Sequence, residues 1–318
     1  MGLANVNTGL RQKPKFSVAI QTDTYQKLIN NTLGDPTKAQ RFVAAISSAV
    51  AVNPALQECD AGSILAGALL GESLNLSPSP QLGQYYLVPF KVAVKGPDGK
   101  KVYKTDEQGN KLKDEKGRWI PETETKATFV LGYKGYIQLA IRSGFYADID
   151  VMEVRLGEYL GKNKYTGKPM FEFVEDDDKR DELPVIGYMA HFEYLNGFQK
   201  TLYWSKAKMI KHADKYSPAF NMIDYEKFVN GEIPDNEMWK YSSYWYQDFD
   251  GMARKTMLRQ LIGNWGIMST EMQMAVSKDN EVQTIPGNEI ANAEDVPVVE
   301  VAEPEFVGVG GQVDLDSL

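Results

Sequence analysis

The chain has 318 residues, of which 43% are hydrophobic and 25% charged, a composition typical of a globular protein with a sizeable core. No apolar run approaches the roughly 18 residues that a membrane helix needs, and the N-terminal residues lack the continuous apolar stretch of a signal peptide. The single cysteine, Cys59, cannot form an internal disulfide and favours a reducing cytoplasm, and two histidines are too few for a histidine-rich metal cage.

Charge is distributed unevenly along the chain. Residues 277–318 hold ten acidic residues and one lysine, so this segment carries −9 of a net charge of −8 and the rest of the chain is close to neutral at +1. The segment is also poor in aromatic residues and rich in Glu, Asp, Val and Pro, which predicts disorder. We therefore expect a flexible N-terminus over residues 1–22, a core over 23–276 and an acidic tail over 277–318.

The first half of the chain predicts helices followed by a long hairpin. Residues 23–75 carry small and apolar residues at helical spacing, and Asp60 is a suitable N-cap. The stretch QYYLVPFKVAV predicts a strand whose proline marks an edge or a bulge, and ETKATFVLGY predicts the returning strand. Between them, residues 96–121 are polar and rich in turn residues, which predicts a protruding excursion. The sequence contains no convincing internal repeat.

The second half mixes strands and helices. YKGYIQLAIRS predicts a short helix ended by Gly144, and ADIDVMEVRL predicts a strand. Asn196-Gly197 lies between two alternating runs and predicts a hairpin with a type I′ turn. Ser205 then caps a predicted helix, KAKMIKHADKY, and further helices are predicted over residues 241–262 and at EMQMAVSK.

Basic residues recur on one face of the helix KAKMIKHADKY. Lys208, Lys211, His212 and Lys215 follow the spacing i, i+3, i+4 and i+7, which places them on one stripe. Such like charges repel one another, and a polyanion lying along the stripe would reverse that cost by releasing counterions. The alternative interpretation is a solvated lysine-rich face.

Two further segments combine bases with aromatic residues. In MARKTMLRQL, Lys255 and Arg259 share a helix face with Arg254 beside them, and the aromatic run YWY precedes them. The alternative is that the aromatics belong to the core and the bases to the surface. In GYKGYIQLAIRSG, we expect a strand-to-helix corner from which Lys134 and Arg142 reach phosphate.

Within that corner the two tyrosines have different predicted roles. We expect Tyr136 to be partly core and Tyr133 to lie nearer to DNA. Glycine beside aromatic residues is also common at strand ends, so the pattern alone does not establish a binding surface.

Motifs for bond chemistry are scarce. The sequence lacks a phosphate-binding GxxxxGK[ST] loop, paired CxxC motifs, HExxH and GxSxG. One pattern resembles a Mg²⁺-dependent nuclease, with Asp98 and Glu124 to hold the metal and Lys126 beside the attacking water. Its spacing is loose, Pro97-Asp98-Gly99 is an ordinary turn sequence, and charge on a strand edge also protects against aggregation.

Five blocks occur in order between residues 60 and 275: LGESLNLSP, YYLVPFKV, GYKGYIQLAIRSG, WSKAKMIKHADKYS and DFDGMARKTMLRQL. This ordered set resembles the RecT family of phage and prophage single-strand annealing recombinases. The resemblance implies an ATP-independent protein that coats single-stranded DNA, oligomerises into rings or helical filaments on it, and anneals complementary strands. It also implies a partner exonuclease and a fold distantly like that of other annealing proteins. We therefore expect the fold class α+β, with N-terminal helices and a β-hairpin or small antiparallel sheet packed with a long helix.

The positions that match the family's basic and aromatic pattern are Lys134, Arg142, Lys206, Lys208, Arg254 and Lys255. Together with the residues singled out above, the predicted DNA-binding set is Lys126, Tyr133, Lys134, Arg142, Lys206, Lys208, Lys211, Lys215, Arg254, Lys255 and Arg259. Annealing makes and breaks no covalent bond, so we expect no catalytic residue and no required cofactor, neither ATP nor a metal, with Mg²⁺ at most modulatory.

The expected partners are single-stranded DNA, the annealed duplex, further copies of the chain, an exonuclease and a host single-strand-binding protein, all in the cytoplasm of a bacterial host and without a membrane. Two other functions stay open: the Mg²⁺-dependent nuclease, and a phage structural or assembly protein. The acidic tail has three interpretations: a solubilising linker, a shield over the DNA groove, or a recruitment segment.

Overall fold

The computed structural model describes residues 15–106, 108–114, 117–283 and 285. Four helices come first. Three of them lie within residues 23–75, where helices were predicted, whereas the first lies in the segment predicted to be a flexible N-terminus and buries Phe16 to 1% exposure. Asp60 caps the fourth helix by accepting a hydrogen bond from the Ser63 N–H at 3.1 Å. This fourth helix is apolar around most of its surface because it lies inside the core, between the other helices and the first sheet. Helices α1 to α4 span Phe16–Ala19, Asp23–Leu33, Pro36–Val52 and Ala61–Ser73.

The first sheet is a two-stranded antiparallel hairpin of β1 (Tyr85–Ala93) and β2 (Thr123–Leu131). Its register pairs Tyr85 with Leu131 at the inner end and Ala93 with Thr123 at the outer end. The ring of Tyr85 stacks on Phe129 at 4.9 Å between centroids, and both side chains are buried against α4. Both strands are edge strands, which agrees with the proline predicted to mark an edge.

Between β1 and β2, residues 94–122 form a branched structure that we call the cloverleaf arm. Three backbone N–H groups close a ring at its base, where Val102 donates to Val94, Glu122 to Val102 and Val94 to Glu122, each at 2.9 Å. A second ring of the same kind joins three residues farther out, and its members are Lys104, Leu112 and Ile120. The predicted excursion is therefore an ordered, hydrogen-bonded structure.

The branches of the cloverleaf arm are three five-residue turns of identical construction. The turns begin at Gly96, Asp106 and Asp114. In each turn the carbonyl of the first residue accepts from the N–H of the fourth, and the N–H of the first residue donates to the carbonyl of the fifth. The fourth residue is always a glycine with positive φ, between 74° and 85°. The segments GPDGK, DEQGN and DEKGR are thus a short structural repeat, contrary to our expectation that the sequence contains none.

Helix α5 (Tyr133–Ser143) leads from β2 into a second sheet of three antiparallel strands in the order β3-β6-β7. These strands span Tyr146–Arg155, Val185–Tyr194 and Gln199–Ser205. Gly144 ends α5 in the left-handed conformation with φ of 72°, as predicted. The hairpin at Asn196-Gly197 is confirmed, but the type I′ turn is wrong. Only Gly197 has positive φ, and the turn repeats the five-residue pattern of the cloverleaf arm.

An excursion between β3 and β6 is held by one buried carboxylate. It contains β4 (Tyr159–Lys162), β5 (Pro169–Phe171) and α6 (Asp177–Glu182). The Glu158 side chain has no exposed surface, and it accepts bonds from Arg180 Nε at 2.6 Å and from the Arg155 backbone N–H at 2.7 Å. Burial alone would raise the pKa of Glu158, but these hydrogen bonds outweigh burial and hold that pKa below its usual value.

The C-terminal part is helical, and its long helix α10 (Phe249–Trp265) packs on the second sheet and on α5. The single helix predicted over residues 241–262 is wrong. A short turn of helix ends at Gln247, and Asp248 then starts α10 by accepting the Gly251 N–H at 2.9 Å. Helices α7 to α11 span Lys206–Tyr216, Met222–Val229, Tyr244–Gln247, Phe249–Trp265 and Thr270–Lys278.

The fold class is confirmed as α+β, with small antiparallel sheets packed against helices. Among the described residues, no helix combines the length and apolar character that crossing a membrane requires. The predicted tail over 277–318 lies mostly outside the described residues, and its disorder stays a prediction. Asp279 is an exception that we take up below, because it is described and 5% exposed.

Candidate nucleic-acid interface

The basic stripe lies on α7, the helix that follows β7. Ser205 begins this helix by accepting the Lys208 N–H at 3.3 Å, which confirms the predicted N-cap. Met209 and Ala213 face the core and are buried, so the opposite face carries Lys208, Lys211 and Lys215 in solvent. Within the described part of the chain none of these three lysines forms an ion pair with a carboxylate.

Aromatic rings run along the same surface. The Trp204 ring lies 5.2 Å from the His212 ring, and the His212 ring lies 4.6 Å from that of Tyr216, measured between centroids. The Lys208 Nζ lies 4.1 Å from the centroid of Trp204, and the Lys215 Nζ lies 5.1 Å from that of Tyr216. We call this set of Trp204, Lys208, Lys211, His212, Lys215 and Tyr216 the α7 stripe.

The α7 stripe has the chemistry that single-stranded DNA requires. Ammonium groups pair with phosphates, and aromatic faces stack on unpaired bases. Tyr216 is 64% exposed, so its ring is open to a base. Burial, followed by repulsion from Lys208 and Lys215, lowers the pKa of His212, so the imidazole favours the neutral form in the absence of an anion.

The tight corner at GYKGY is explained by a close approach of two backbones. A Cβ at Gly132 would meet the carbonyl oxygen of Gly83, and a Cβ at Gly135 would meet that of Gln84. The Gly132 N–H also donates to the Gln84 carbonyl at 2.8 Å. The two glycines therefore serve the packing of α5 against the loop before β1.

Three predicted residues lie near one another beside this corner. Lys134 is exposed on the first turn of α5, and the neighbouring Tyr133 is half-buried. The guanidinium of Arg254 lies 4.8 Å from the centroid of the Tyr133 ring and 3.3 Å from a carboxylate oxygen of Glu153. Lys134 forms no ion pair with any described residue, whereas Arg254 already has a carboxylate and a ring. Tyr136 is fully buried, so its expected core position is confirmed.

Arg142 has a structural partner in the fold. Its guanidinium donates to the Leu74 carbonyl at 2.6 Å and to the Asn75 carbonyl at 3.4 Å, just past the last turn of α4. A cation at this place stabilises the carbonyl end of a helix. Arg142 is exposed, but its guanidinium already serves as a helix cap.

Lys255 and Arg259 meet a carboxylate that sequence reasoning assigned to the tail. Asp279 accepts from Lys255 Nζ at 3.0 Å, from Arg259 at 2.6 Å and from the Leu131 backbone N–H at 2.9 Å. Lys255 was predicted to contact DNA, but it is only 6% exposed and its ammonium group lies in the interior. Burial lowers the pKa of Lys255, and the Asp279 carboxylate opposes that effect. The cluster ties α10 and β2 to the segment after α11.

Each residue of the nuclease-like pattern already has a partner in the fold. Lys126 Nζ lies 2.7 Å from a carboxylate oxygen of Glu124 on β2. Asp98 accepts the Lys100 N–H at 3.0 Å in the first turn of the cloverleaf arm. Among the described residues, no group of three His, Cys, Asp or Glu side chains is placed to hold a metal ion.

The predicted set is thus divided by the fold. The α7 stripe gathers Lys208, Lys211 and Lys215, while Lys206 faces the other way, with its Nζ 5.8 Å from the Phe249 ring centroid. Sequence reasoning missed Trp204 and Tyr216. Trp204 lies four residues before Lys208, and Tyr216 lies four residues after His212, a helical spacing that is visible in the sequence. Trp204 precedes the helix, however, and only the cap at Ser205 aligns its ring with the stripe.

Comparison with known proteins gives a consistent result. The RecT family matches residues 40–297 of the chain. An uncharacterized protein of Bacillus subtilis, YqaK, is 33% identical over 247 residues, which cover 77% of this chain and 66% of YqaK. Protein RecT of Escherichia coli is 25% identical over 249 residues, which cover 76% of this chain and 72% of that protein. The chain therefore spans just under two thirds of the length of the Bacillus relative.

Proposed function

The chain belongs to the RecT family, and from that premise we propose that it is an ATP-independent single-strand annealing protein of phage-type homologous recombination. In this proposal it coats single-stranded DNA as an oligomer and pairs complementary strands. It needs no cofactor, breaks no bond, and acts in the cytoplasm of a bacterial host. An exonuclease that produces the single strand and a host single-strand-binding protein are its proposed partners.

The α7 stripe is the observation that carries the proposal. Its three lysines lie on one exposed helix face without carboxylate partners among the described residues, and three aromatic rings lie along it. This surface holds phosphates through charge and leaves sequence discrimination to base pairing between strands. An annealing protein requires that combination, since a protein that read base edges would favour particular sequences.

Self-association is supported by exposed apolar side chains at one end of the second sheet. The Leu195 N–H donates to the Phe145 carbonyl at 3.2 Å, and both side chains are exposed, at 74% and 43%. Phe198, Trp265 and Ile267 continue the surface, with exposures between 45% and 51%. Apolar groups gathered in this way mark protein contacts more often than isolated ones do.

Strand pairing tests the proposal. Two complementary oligonucleotides are mixed in turn with the protein, without ATP, and annealing is followed by fluorescence quenching. We expect an acceleration over the protein-free rate that persists in EDTA if Mg²⁺ is only modulatory. A rate equal to the protein-free rate would contradict the proposed function.

A further inference from the structure

The cloverleaf arm carries many basic side chains in solvent. Five of its lysines are exposed and form no ion pair with a described residue: Lys95, Lys101, Lys104, Lys111 and Lys113. The whole segment of residues 94–122 holds eight basic and six acidic residues, a net charge of +2 in a chain of net charge −8. The arm is therefore a basic element of an acidic protein.

The aspartates of the arm are occupied by its own turns. Asp98 accepts the Lys100 N–H at 3.0 Å, Asp106 accepts the Asn110 N–H at 2.8 Å, and Asp114 accepts the Arg118 N–H at 2.8 Å. The hydrogen bond from Asn110 is also the main cause that lowers the pKa of Asp106. These carboxylates face backbone N–H groups at the branch turns, so they leave the lysines on the arm without strong partners.

Aromatic rings accompany two of the free lysines. Lys113 Nζ lies 4.5 Å from the centroid of Trp119, and Lys111 Nζ lies 4.9 Å from that of Tyr103. Trp119 is 46% exposed, although a large apolar ring in a folded protein is usually covered. The same pairing of ammonium and ring occurs on the α7 stripe, where Lys208 lies over Trp204.

The geometry of the arm fixes these side chains in position. Its two rings of backbone hydrogen bonds, with lengths from 2.8 to 2.9 Å, connect all three branches. A surface that is ordered before binding loses less conformational entropy on binding than flexible lysines would. The arm extends the β1–β2 hairpin, whereas α7 follows β7 of the other sheet, so the two surfaces belong to different parts of the fold.

We propose that the cloverleaf arm is a second binding site for single-stranded nucleic acid, in which Lys111 and Lys113 pair with phosphates and Trp119 stacks on a base. This inference rests on the proposed DNA binding of the chain and adds a surface to it. Two separate sites let one protein hold two stretches of strand, and each contributes its own share of the salt dependence of binding.

The test compares variants of the full chain for binding to a single-stranded oligonucleotide by fluorescence anisotropy over a range of NaCl concentrations. For Lys111→Ala with Lys113→Ala, we expect the negative slope of log K against log [NaCl] to become shallower by about 1.4, since each phosphate contact contributes roughly −0.7. For Trp119→Ala, we expect affinity to fall roughly tenfold through lost stacking. The matched control is Lys162→Ala with Lys179→Ala, two exposed lysines outside both surfaces, which leaves slope and affinity unchanged.

Thermal unfolding of each variant checks that the exposed substitutions leave the fold intact. If the wild-type chain binds and both arm variants match it in slope and affinity, the arm is not a binding site and the proposed function stands. If the wild-type chain itself shows no salt-dependent binding, the proposed function fails and the inference fails with it. A loss confined to the arm variants supports the second site.

Discussion

Replacing Asp279 with alanine should destabilise the whole fold, although the residue lies beyond the last helix. The carboxylate has no exposed surface and accepts three hydrogen bonds, from Leu131 N–H, Lys255 Nζ and Arg259, at 2.6 to 3.0 Å. Without it, the ammonium of Lys255 stays buried with no counter-charge. Breaking a buried pair in this way costs about 3–5 kcal/mol, a large share of the roughly 5–15 kcal/mol that stabilises a typical protein.

Urea unfolding followed by circular dichroism measures this loss. The matched control is Glu281→Ala, two residues farther along, which removes an exposed carboxylate paired with Lys278 at 3.2 Å and should change stability by under about 1 kcal/mol. A second substitution, Lys255→Met, should restore part of the stability of Asp279→Ala, because it removes the unpaired charge. If the free energy of unfolding of Asp279→Ala lies within about 0.5 kcal/mol of that of the wild-type chain, the buried cluster does not stabilise the fold and the reasoning is refuted.

The same cluster makes the position of a truncation decisive. A chain that ends after Ser277 loses Asp279 and should be destabilised like Asp279→Ala. A chain that ends after Ile285 keeps the cluster and removes residues 286–318, which carry eight acidic residues and no lysine or arginine. We expect this longer chain to fold and to anneal in vitro at least as well as the full chain. Equal stability of the two truncated chains would contradict the anchoring role of Asp279.

Three further predictions follow from other sites. Gly135→Ala should cost about 1–3 kcal/mol by overpacking, because the new Cβ meets the Gln84 carbonyl, whereas Gly263→Ala, where a Cβ meets nothing within 4 Å, should be neutral or stabilising in the same melting assay. The pKa of Glu158 is lowered in the fold, so this carboxylate stabilises the fold above about pH 4.5, and the stabilisation is lost as pH falls through its lowered pKa. Glu158→Gln should reduce the free energy of unfolding by roughly 2 kcal/mol at neutral pH and weaken the decrease of that free energy at acid pH, measured by urea unfolding. The pKa of His212 is also lowered, and since phosphate favours the charged imidazole, DNA affinity should rise as pH falls from about 7.5 to about 5.5; an equal rise in His212→Gln would show that this histidine is not involved.

Local sequence signals predicted much of the fold. The caps at Asp60 and Ser205 and the helix end at Gly144 were predictable because each depends on the chemistry of one or two residues. The hairpin at Asn196-Gly197 was also predictable, but its turn type was not. Only the glycine adopts positive φ there, which the dipeptide alone does not determine.

Long-range partners were beyond sequence reasoning. Lys255 and Arg259 have the same residue types and spacing as a DNA-binding pair, and only the return of Asp279 to α10 gives both a shared carboxylate partner and leaves Lys255 buried. Arg142 likewise became a cap because the end of α4 lies beside α5. The three lysines that face solvent on the α7 stripe and the two bases that face Asp279 differ in their tertiary surroundings, which local spacing does not encode.

The cloverleaf arm shows a third limit. Its polar, turn-rich sequence predicts a protruding excursion and nothing of the internal order, because charged residues and glycines without an apolar pattern usually indicate a loop. The stabilising features are two rings of backbone hydrogen bonds. Nearly every residue type carries the same backbone N–H and C=O groups, so the sequence does not show where such bonds form. The repeated glycine at the fourth position of each turn was the one available signal.

We infer that the α7 stripe holds single-stranded DNA while strands anneal. The most direct test of this inference is the ATP-free annealing rate of Lys208→Ala with Lys211→Ala, measured beside the wild-type chain and beside Lys162→Ala with Lys179→Ala, which removes the same charge elsewhere. We expect a slower annealing rate, and a weaker dependence of that rate on salt, for the stripe variant alone. An unchanged rate and salt slope in the stripe variant would contradict the claim.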